Sequence, residues 1–319
     1  GIIIYFIALR GSELSQILPV LSIFALAAFK LLPALQQVYA SLGQIKGNIA
    51  AFNSIREDLI KSNNKLEESH VNLQEDENGE ILLRDIYFKY PGKNDNSLEG
   101  INVAIKQNSS LGIVGSSGSG KSTLIDILSG LIKPSSGQII YRDQKINQTN
   151  IKDWQKQIGL VSQSIFLTEN TIKRNIAFGL NEESIDDNKI TTAIELASLE
   201  EFIASLPDKE NTTVGERGVQ LSGGQIQRIG IARALYNDAE ILIFDEATSS
   251  LDGLTEKTII ESIKSLKGKK TLILVAHRIN TIKFCDQIVV LENGKIVNQG
   301  TYDSLLETSP LFRDMTKSG

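Results

Sequence analysis

Residues that form disulfides or bind transition metals are scarce in this sequence. The 319 residues include a single cysteine, Cys285, and two histidines, His70 and His277. Because a disulfide needs two cysteines, none can form within the chain, which fits a reducing compartment. Two histidines are also too few for a histidine-rich metal site.

Basic charge is not in excess either. Lys and Arg together number 33 and Asp and Glu 38, which gives a formal net charge of -5 at pH 7. A nucleic-acid-binding surface usually needs clustered Lys and Arg. The sequence lacks that electrostatic signature, and we expect no nucleic-acid partner.

Methionine occurs once, at Met315, and the sequence begins at Gly1. We therefore expect that the natural N-terminus has been removed or that the chain is part of a longer protein. The first residues lack a basic region ahead of their apolar run, so they are not typical of a signal peptide.

Two apolar runs stand near the beginning of the chain, at residues 2–9 and 17–35. Only Ser22, Lys30 and two prolines interrupt the second run. A helix of about 20 residues crosses the hydrocarbon core of a bilayer. We predict that residues 17–35 form the last transmembrane helix and residues 2–9 the end of the preceding one. A buried core helix of a soluble protein gives a similar pattern.

The composition then changes twice. Residues 36–65 keep apolar positions at spacings of three and four, which predicts an amphipathic helical extension. Residues 63–79 are polar and acidic and are typical of a linker. From residue 81 onward, helical segments separate short apolar runs, which predicts an α/β fold with a mainly parallel sheet covered by helices. The predicted strands are residues 81–83, 111–114, 159–161, 241–244, 271–275 and 287–291.

Residues 115–122 match the phosphate-binding pattern G-x-x-x-x-G-K-[ST] in full, between a predicted strand and a predicted helix at residues 122–131. Glycines let the backbone approach phosphate closely, and the following helix N-terminus favours an anion. Lys121 can reach the β- and γ-phosphates, and the Ser122 hydroxyl can bind Mg²⁺. The predicted ATP-binding residues of this loop are Gly115, Ser116, Ser117, Gly118, Ser119, Gly120, Lys121, Ser122 and Thr123.

Two further apolar strands end in polar residues that suit the chemistry of phosphate transfer. Residues 241–244 are followed by Asp245, which we expect near the metal, and by Glu246, which we expect within reach of a water as general base. Residues 271–275 lead to His277, which can contact the γ-phosphate and orient that water. The predicted catalytic residues are therefore Glu246 and His277.

The segment Leu221, Ser222, Gly223, Gly224 and Gln225 resembles the signature motif of ATP-binding cassette (ABC) proteins. A helix opening at Ser222 would offer free amides as a second anion site. The residues from 81 to about 312 resemble the nucleotide-binding domain of this family. That resemblance implies three regions: residues 1–62, the C-terminal part of a transmembrane domain; residues 63–80, a linker; and residues 81–319, an ABC nucleotide-binding domain with a helical subdomain at about 164–222.

The resemblance also implies roles for single residues. Tyr90 would stack on adenine, Gln163 would contact Mg²⁺ and water, and residues 249–252 would cross a dimer interface. ATP and Mg²⁺ are the implied cofactors, with Ser122, Gln163 and Asp245 at the metal. The motif at residues 222–225 would close over ATP held by a second nucleotide-binding domain. A homodimer is the simplest assembly, and a heterodimer remains open.

Three features favour an exporter within the ABC family. An apolar span precedes the domain on the same chain, and residues 213–218 and 171–176 resemble exporter-specific segments. Export would place the protein in the inner (cytoplasmic) membrane, with the nucleotide-binding domain in the cytosol. Full exporter subunits carry more membrane helices than residues 1–35 can supply.

The sequence gives weaker evidence for the transported substrate and for the kind of ABC protein. Residues 27–35 and 166–171 carry a weaker resemblance to flippases for lipid-linked oligosaccharides, so the expected activity is ATP-driven export or flipping of such a lipid or another substrate. The alternative is a soluble ABC ATPase that acts on nucleic acid or ribosomes. The apolar residues 2–35 and the acidic balance argue against it.

Overall fold

The computed structural model describes residues 14–63, 79–93, 95–215, 221–247, 253–276 and 278–318. The chain divides into two compact units, Gly1–Glu67 and Glu68–Gly319.

The first unit is described by a single helix, α1 (Leu14–Asn63), of 50 residues with Pro19 and Pro33 inside it. Its described large apolar side chains between Ile23 and Ile60 are exposed, Phe29 and Tyr39 each to 81%. By length and composition, the part Leu21–Asn53 can cross a membrane. The predicted helical character beyond residue 35 is confirmed as far as Asn63; its role as a cytosolic, amphipathic extension stays a prediction. The predicted helix end at residues 2–9 lies outside the described residues.

The residues of the second unit that the structure describes form ten strands in two sheets. In chain order they are β1 (Ile81–Phe88), β2 (Leu98–Ile105), β3 (Ser110–Gly115), β4 (Ser136–Tyr141), β5 (Gln144–Lys145), β6 (Ile158–Val161), β7 (Ile241–Asp245), β8 (Thr271–Val275), β9 (Gln287–Glu292) and β10 (Lys295–Gly300). The larger sheet has the order β10-β9-β3-β8-β7-β6 and is parallel except for β10. The smaller has the order β2-β1-β4-β5 and is antiparallel throughout.

The described residues of the second unit also form nine α-helices. They are α2 (Lys121–Leu128), α3 (Ile151–Lys156), α4 (Ile172–Ile176), α5 (Asp187–Leu196), α6 (Glu200–Ala204), α7 (Gly223–Tyr236), α8 (Gly253–Ser265), α9 (Tyr302–Thr308) and α10 (Pro310–Ser318). Short 3₁₀ turns lie at Glu182–Ser184, Lys209–Asn211 and Ile279–Ile282. The helix predicted at residues 122–131 ends earlier, at Leu128, because Gly130 adopts φ 67 and turns the chain away.

The sheet prediction needs one correction. All six predicted strands exist, but a separate antiparallel sheet was missed, and only the first predicted strand, at residues 81–83, belongs to it. β1 and β2 expose several residues on one face, so they lack the continuous apolar run of a strand buried on both faces. β7 and β8 have that run, and alternate residues of each enter two different apolar clusters. Ile241 and Ile243 contact one cluster, and Leu242 and Phe244 the other.

The side chain of Trp154 anchors α3 to the phosphate-loop helix α2. It is fully buried, its indole Nε1 donates a 2.8 Å hydrogen bond to the Leu128 carbonyl, and its ring packs 5.0 Å from that of Tyr141. The end of α2 is thus held by a hydrogen bond and by aromatic packing together.

We expect Trp154→Phe to lower the free energy of unfolding by about 2 kcal/mol. The change leaves a cavity and removes the donor of a buried carbonyl. Urea unfolding followed by circular dichroism measures it, because the chain has no other tryptophan to report by fluorescence. Tyr87→Phe, at a residue that is 40% exposed, is the control and should change stability by less than about 0.5 kcal/mol. Equal effects would contradict the anchoring role.

Candidate nucleotide-binding site

The phosphate-binding pattern forms a tight loop between β3 and α2. Gly120 adopts φ 104, and a Cβ there would lie 2.7 Å from the Ser97 carbonyl oxygen, so only glycine fits this approach. At Gly118, by contrast, a Cβ would meet nothing within 4 Å, because this side of the loop borders open space. The loop is therefore packed on one side and open on the side where a ligand can approach.

Lys121 lies inside this loop. Its Nζ donates to the carbonyl oxygens of Gly115 at 2.9 Å and of Ser116 at 3.0 Å. Burial lowers the pKa of Lys121, while the nearby carboxylates of Glu246 and Asp245 act in the opposite direction. The ammonium is thus held where the loop, the helix start and the acidic strand end converge.

The loop fits a phosphate group. The first amides of α2 have no acceptor within the helix, and the helix dipole makes this end electropositive. Lys121 and Ser122 line the open side of the loop, whereas the buried Ser119 side chain does not. Amides, an ammonium group and the Ser122 hydroxyl in one concave loop suit an anion with several oxygens.

A cavity of about 810 Å³ opens from the loop and is lined by half of the predicted site residues; Gly115, Ser116, Ser119 and Asp245 do not line it. Tyr90, Gln163 and Glu246 line it together with residues of the loop. The sequence reasoning missed the remaining lining residues, which are Lys93, Asp95, Asn96, Ser97, Glu99, Asn293 and Gly294. The Asn293–Gly294 pair is a hairpin signal in the sequence. Its place beside the loop is a tertiary feature, fixed by a 3.0 Å hydrogen bond from the Gly294 amide to the Ser119 carbonyl.

Two contacts orient Tyr90 in the wall of the cavity. Its hydroxyl lies 3.3 Å from Thr123 Oγ1, and its ring stands edge-on to Phe88 with centroids 4.8 Å apart. The Lys93 ammonium lies 5.6 Å from the centre of the same ring. A planar ring held in this way offers a surface on which a base can stack.

The carboxyl end of β7 supplies the acidic side of the cavity. Gln163 Nε2 donates a 2.7 Å hydrogen bond to Glu246 Oε2, which joins the loop after β6 to the residue after β7. Glu246 has φ 51, in the left-handed region that a Glu side chain rarely adopts, and its amide donates to the Val275 carbonyl at 3.1 Å. Strained backbone of this kind is concentrated at functional sites.

The oxygen atoms near the loop fit a magnesium ion that is shared with phosphate. Magnesium is usually held by one or two carboxylates, a hydroxyl and substrate oxygens rather than by a cage of protein ligands. Among the described residues, no group of three or more His, Cys, Asp or Glu could hold a metal alone. Asp245, Ser122 and the Gln163 amide oxygen are the donors of the kind that magnesium prefers.

The segment at residues 222–225 opens α7, as predicted. The Gln225 amide donates to Ser222 Oγ at 3.2 Å and the Ser222 amide donates to Gln225 Oε1 at 2.8 Å, which is a reciprocal capping box. The capping explains the S-x-x-Q spacing and leaves the amide of the exposed Gly223 at the helix start, whereas Gly224 is buried. None of these four residues lines the 810 Å³ cavity. His277 and residues 216–218 and 249–252 lie outside the described residues.

Residues 98–249 match the family model described as ABC transporter. The chain contains an ABC transporter ATP-binding domain. A lipid A-core flippase of Ralstonia nicotianae, named as ATP-dependent, is 39% identical over 235 residues, which are 73% of this chain and 40% of that protein. A flippase of the same name from Legionella pneumophila is 39% identical over 273 residues, 86% of this chain and 45% of the flippase.

A solved structure of a bacterial Atm1-family ABC exporter with ATP bound matches with a TM-score of 0.70 at 32% identity, over 84% of this chain and 48% of the exporter chain. The resemblance to ABC exporters and to the mixed α/β fold of their ATP-binding domain is thereby confirmed. The chain spans less than half the length of each of these relatives. The roles of the single site residues and the domain boundaries stay predictions.

The left-handed backbone at Glu246 predicts an unusual order of stability in the ABC domain. We expect Glu246→Gly to be more stable than Glu246→Ala by about 1 kcal/mol, because only glycine adopts a positive φ without strain. Urea unfolding of both variants measures the difference. Glu261, exposed on α8, is the control position, where Ala should be more stable than Gly by about 1 kcal/mol. The same order at both positions would contradict the strain.

Proposed function

We propose that this chain is the ATP-hydrolysing part of an ABC exporter. The observation that carries the proposal is the single cavity in which the phosphate loop, Tyr90, Gln163 and Glu246 meet. Tyr90 offers a ring on which a base can stack, and the loop with Lys121 can bind phosphates. Because both line the same cavity, one continuous site can receive a base together with its phosphates.

Hydrolysis would proceed by activation of a water beside the γ-phosphate. Lys121 and the loop amides hold the phosphates, Glu246 accepts the proton of the attacking water, and His277 orients that water. Gln163 holds the Glu246 carboxylate in place by its 2.7 Å hydrogen bond. Ser122, Gln163 and Asp245 would hold Mg²⁺, which when bound neutralises charge on the phosphate oxygens.

A second copy of the domain is part of the proposal. Ser222, Gly223, Gly224 and Gln225 form an anion site at the start of α7, yet they do not line the cavity of their own chain. A partner domain could present the same four residues to the γ-phosphate bound here. A homodimer with two equivalent sites is the simplest arrangement.

The first unit supports an exporter over the alternative of a soluble ABC ATPase that acts on nucleic acid or ribosomes. α1 contains a span with mean hydropathy 1.5, and its apolar side chains are exposed. The match to the Legionella flippase covers 273 residues and is longer than the whole second unit, Glu68–Gly319, so it includes part of the first unit. We infer a place in the inner membrane, with the ATP-binding domain on the cytosolic side. The names of the relatives favour a lipid as cargo.

ATP hydrolysis as a function of protein concentration tests the proposal. We expect a specific activity that rises with concentration, because two copies must meet to complete each site. Glu246→Gln should reduce turnover by about 10³-fold and still bind ATP, since it removes only the base. Absence of hydrolysis in the unaltered chain at every concentration, or near-normal turnover in Glu246→Gln, would contradict the assignment.

Membrane insertion of α1 is tested separately. The unaltered chain should stay in the membrane fraction after alkaline carbonate extraction, because its apolar span is long enough to cross a bilayer. Replacing both Leu26 and Leu31 by Arg should release it, since each charge opposes insertion by about 3 kcal/mol. Replacing both Lys46 and Arg56 by Leu is the control and should leave the chain in the membrane. Release of the unaltered chain would count against export.

A further inference from the structure

An ion pair outside the nucleotide cavity joins α8 to Arg278, the residue that directly follows His277. Arg278 Nη1 lies 2.5 Å from Glu256 Oε2. Arg278 directly follows His277, and Glu256 stands in the first turn of α8, four residues beyond Asp252. Neither Glu256 nor Arg278 lines the 810 Å³ cavity, so neither touches the nucleotide space.

The backbone on both sides of His277 is firmly held. Before it, Ala276 is buried and its amide donates to the Ile113 carbonyl of β3 at 3.2 Å. After it, the Arg278 carbonyl accepts a 2.7 Å hydrogen bond from the Thr281 hydroxyl, and Ile279 is buried. The Arg278 side chain is held in addition by its ion pair with Glu256 on α8.

The burial of Glu256 distinguishes this ion pair from an incidental surface contact. The Glu256 side chain is only 14% exposed, against 46% for Arg278, and Glu256 Oε1 is buried without a hydrogen-bond partner among the described residues. A carboxylate in this setting depends strongly on its cation, because removal of one partner leaves an uncompensated buried charge. The two residues also stand beside a groove of about 480 Å³ lined by α8 and by residues 278, 280 and 281.

We propose that Glu256 is a positioning residue for ATP hydrolysis, which acts through Arg278 to hold the loop that carries His277. The inference rests on the proposed function, since His277 must orient the attacking water for its placement to matter. It adds a mechanical link between hydrolysis and α8, the helix that begins next to the predicted interface residues 249–252. A small displacement of a catalytic group is costly, by up to about 100-fold for 1 Å.

A double-mutant cycle between Glu256 and His277 tests the proposal. Glu256→Gln should lower the single-turnover rate of ATP hydrolysis at least about 10-fold and leave ATP affinity within about twofold. In the His277→Ala background, Glu256→Gln should lower the rate by less than about twofold, because the group that it positions is already absent. The protein is kept in excess over ATP, so that one turnover can be followed even when the rate is slow, with and without His277→Ala.

Asp153→Asn is the matched control. The Asp153 side chain is also 14% exposed and pairs with Lys156 at 2.8 Å, but it lies on α3, away from the loop after β8. It should leave the rate unchanged. If Glu256→Gln does not fold, as thermal unfolding would show, Arg278→Lys takes its place, because lysine keeps the charge and loses the planar guanidinium.

The outcomes separate this inference from the function on which it rests. Full additivity of the two rate losses, or a rate loss explained by weaker ATP binding, would overturn the positioning role and leave the ATPase assignment intact. No hydrolysis by the unaltered chain would overturn the proposed function and this inference with it. Non-additive losses with unchanged ATP affinity support Glu256 as the positioning residue.

Discussion

The burial of the parallel sheet on both faces is the constraint on which the site depends. Ile113 of β3 pairs with Val275 of β8, and Val275 pairs in turn with Asp245 of β7. Because both faces of these strands pack into apolar clusters, a shift of register would expose core residues and bury polar ones. The carboxyl ends of the three strands are therefore fixed at one edge, and the functional residues follow immediately after them.

At that edge, opposite charges are concentrated in a small volume. The Lys121 ammonium is surrounded by loop carbonyls, and the carboxylates of Asp245 and Glu246 lie near enough to influence its pKa. The geometry is maintained at the expense of backbone strain at Glu246, whose φ is 51. Residues in such conformations persist only where the surrounding structure over-determines them, here through the Val275 carbonyl and the Gln163 amide.

Much of this site could be predicted because its signals are local. The phosphate loop, the strand that ends in Asp245 and Glu246, and the capped helix start at Ser222 each depend on neighbouring residues, and their spacing is visible in the sequence. The small antiparallel sheet was missed because its half-exposed strands lack long apolar runs. Asn96, Glu99 and Asn293 were missed because only tertiary packing brings them to the cavity. The positive φ at Glu246 likewise has no sequence signal, since Glu is not a residue that favours it.

The anchoring of α2 by Trp154 has a practical consequence for observing the protein. The only indole of the chain is bonded to the last turn of the helix that begins at the phosphate loop. Its emission therefore originates from a buried environment about one short helix away from the predicted phosphate loop. The molecule contains an intrinsic optical reporter at its phosphate-binding helix, without any attached label.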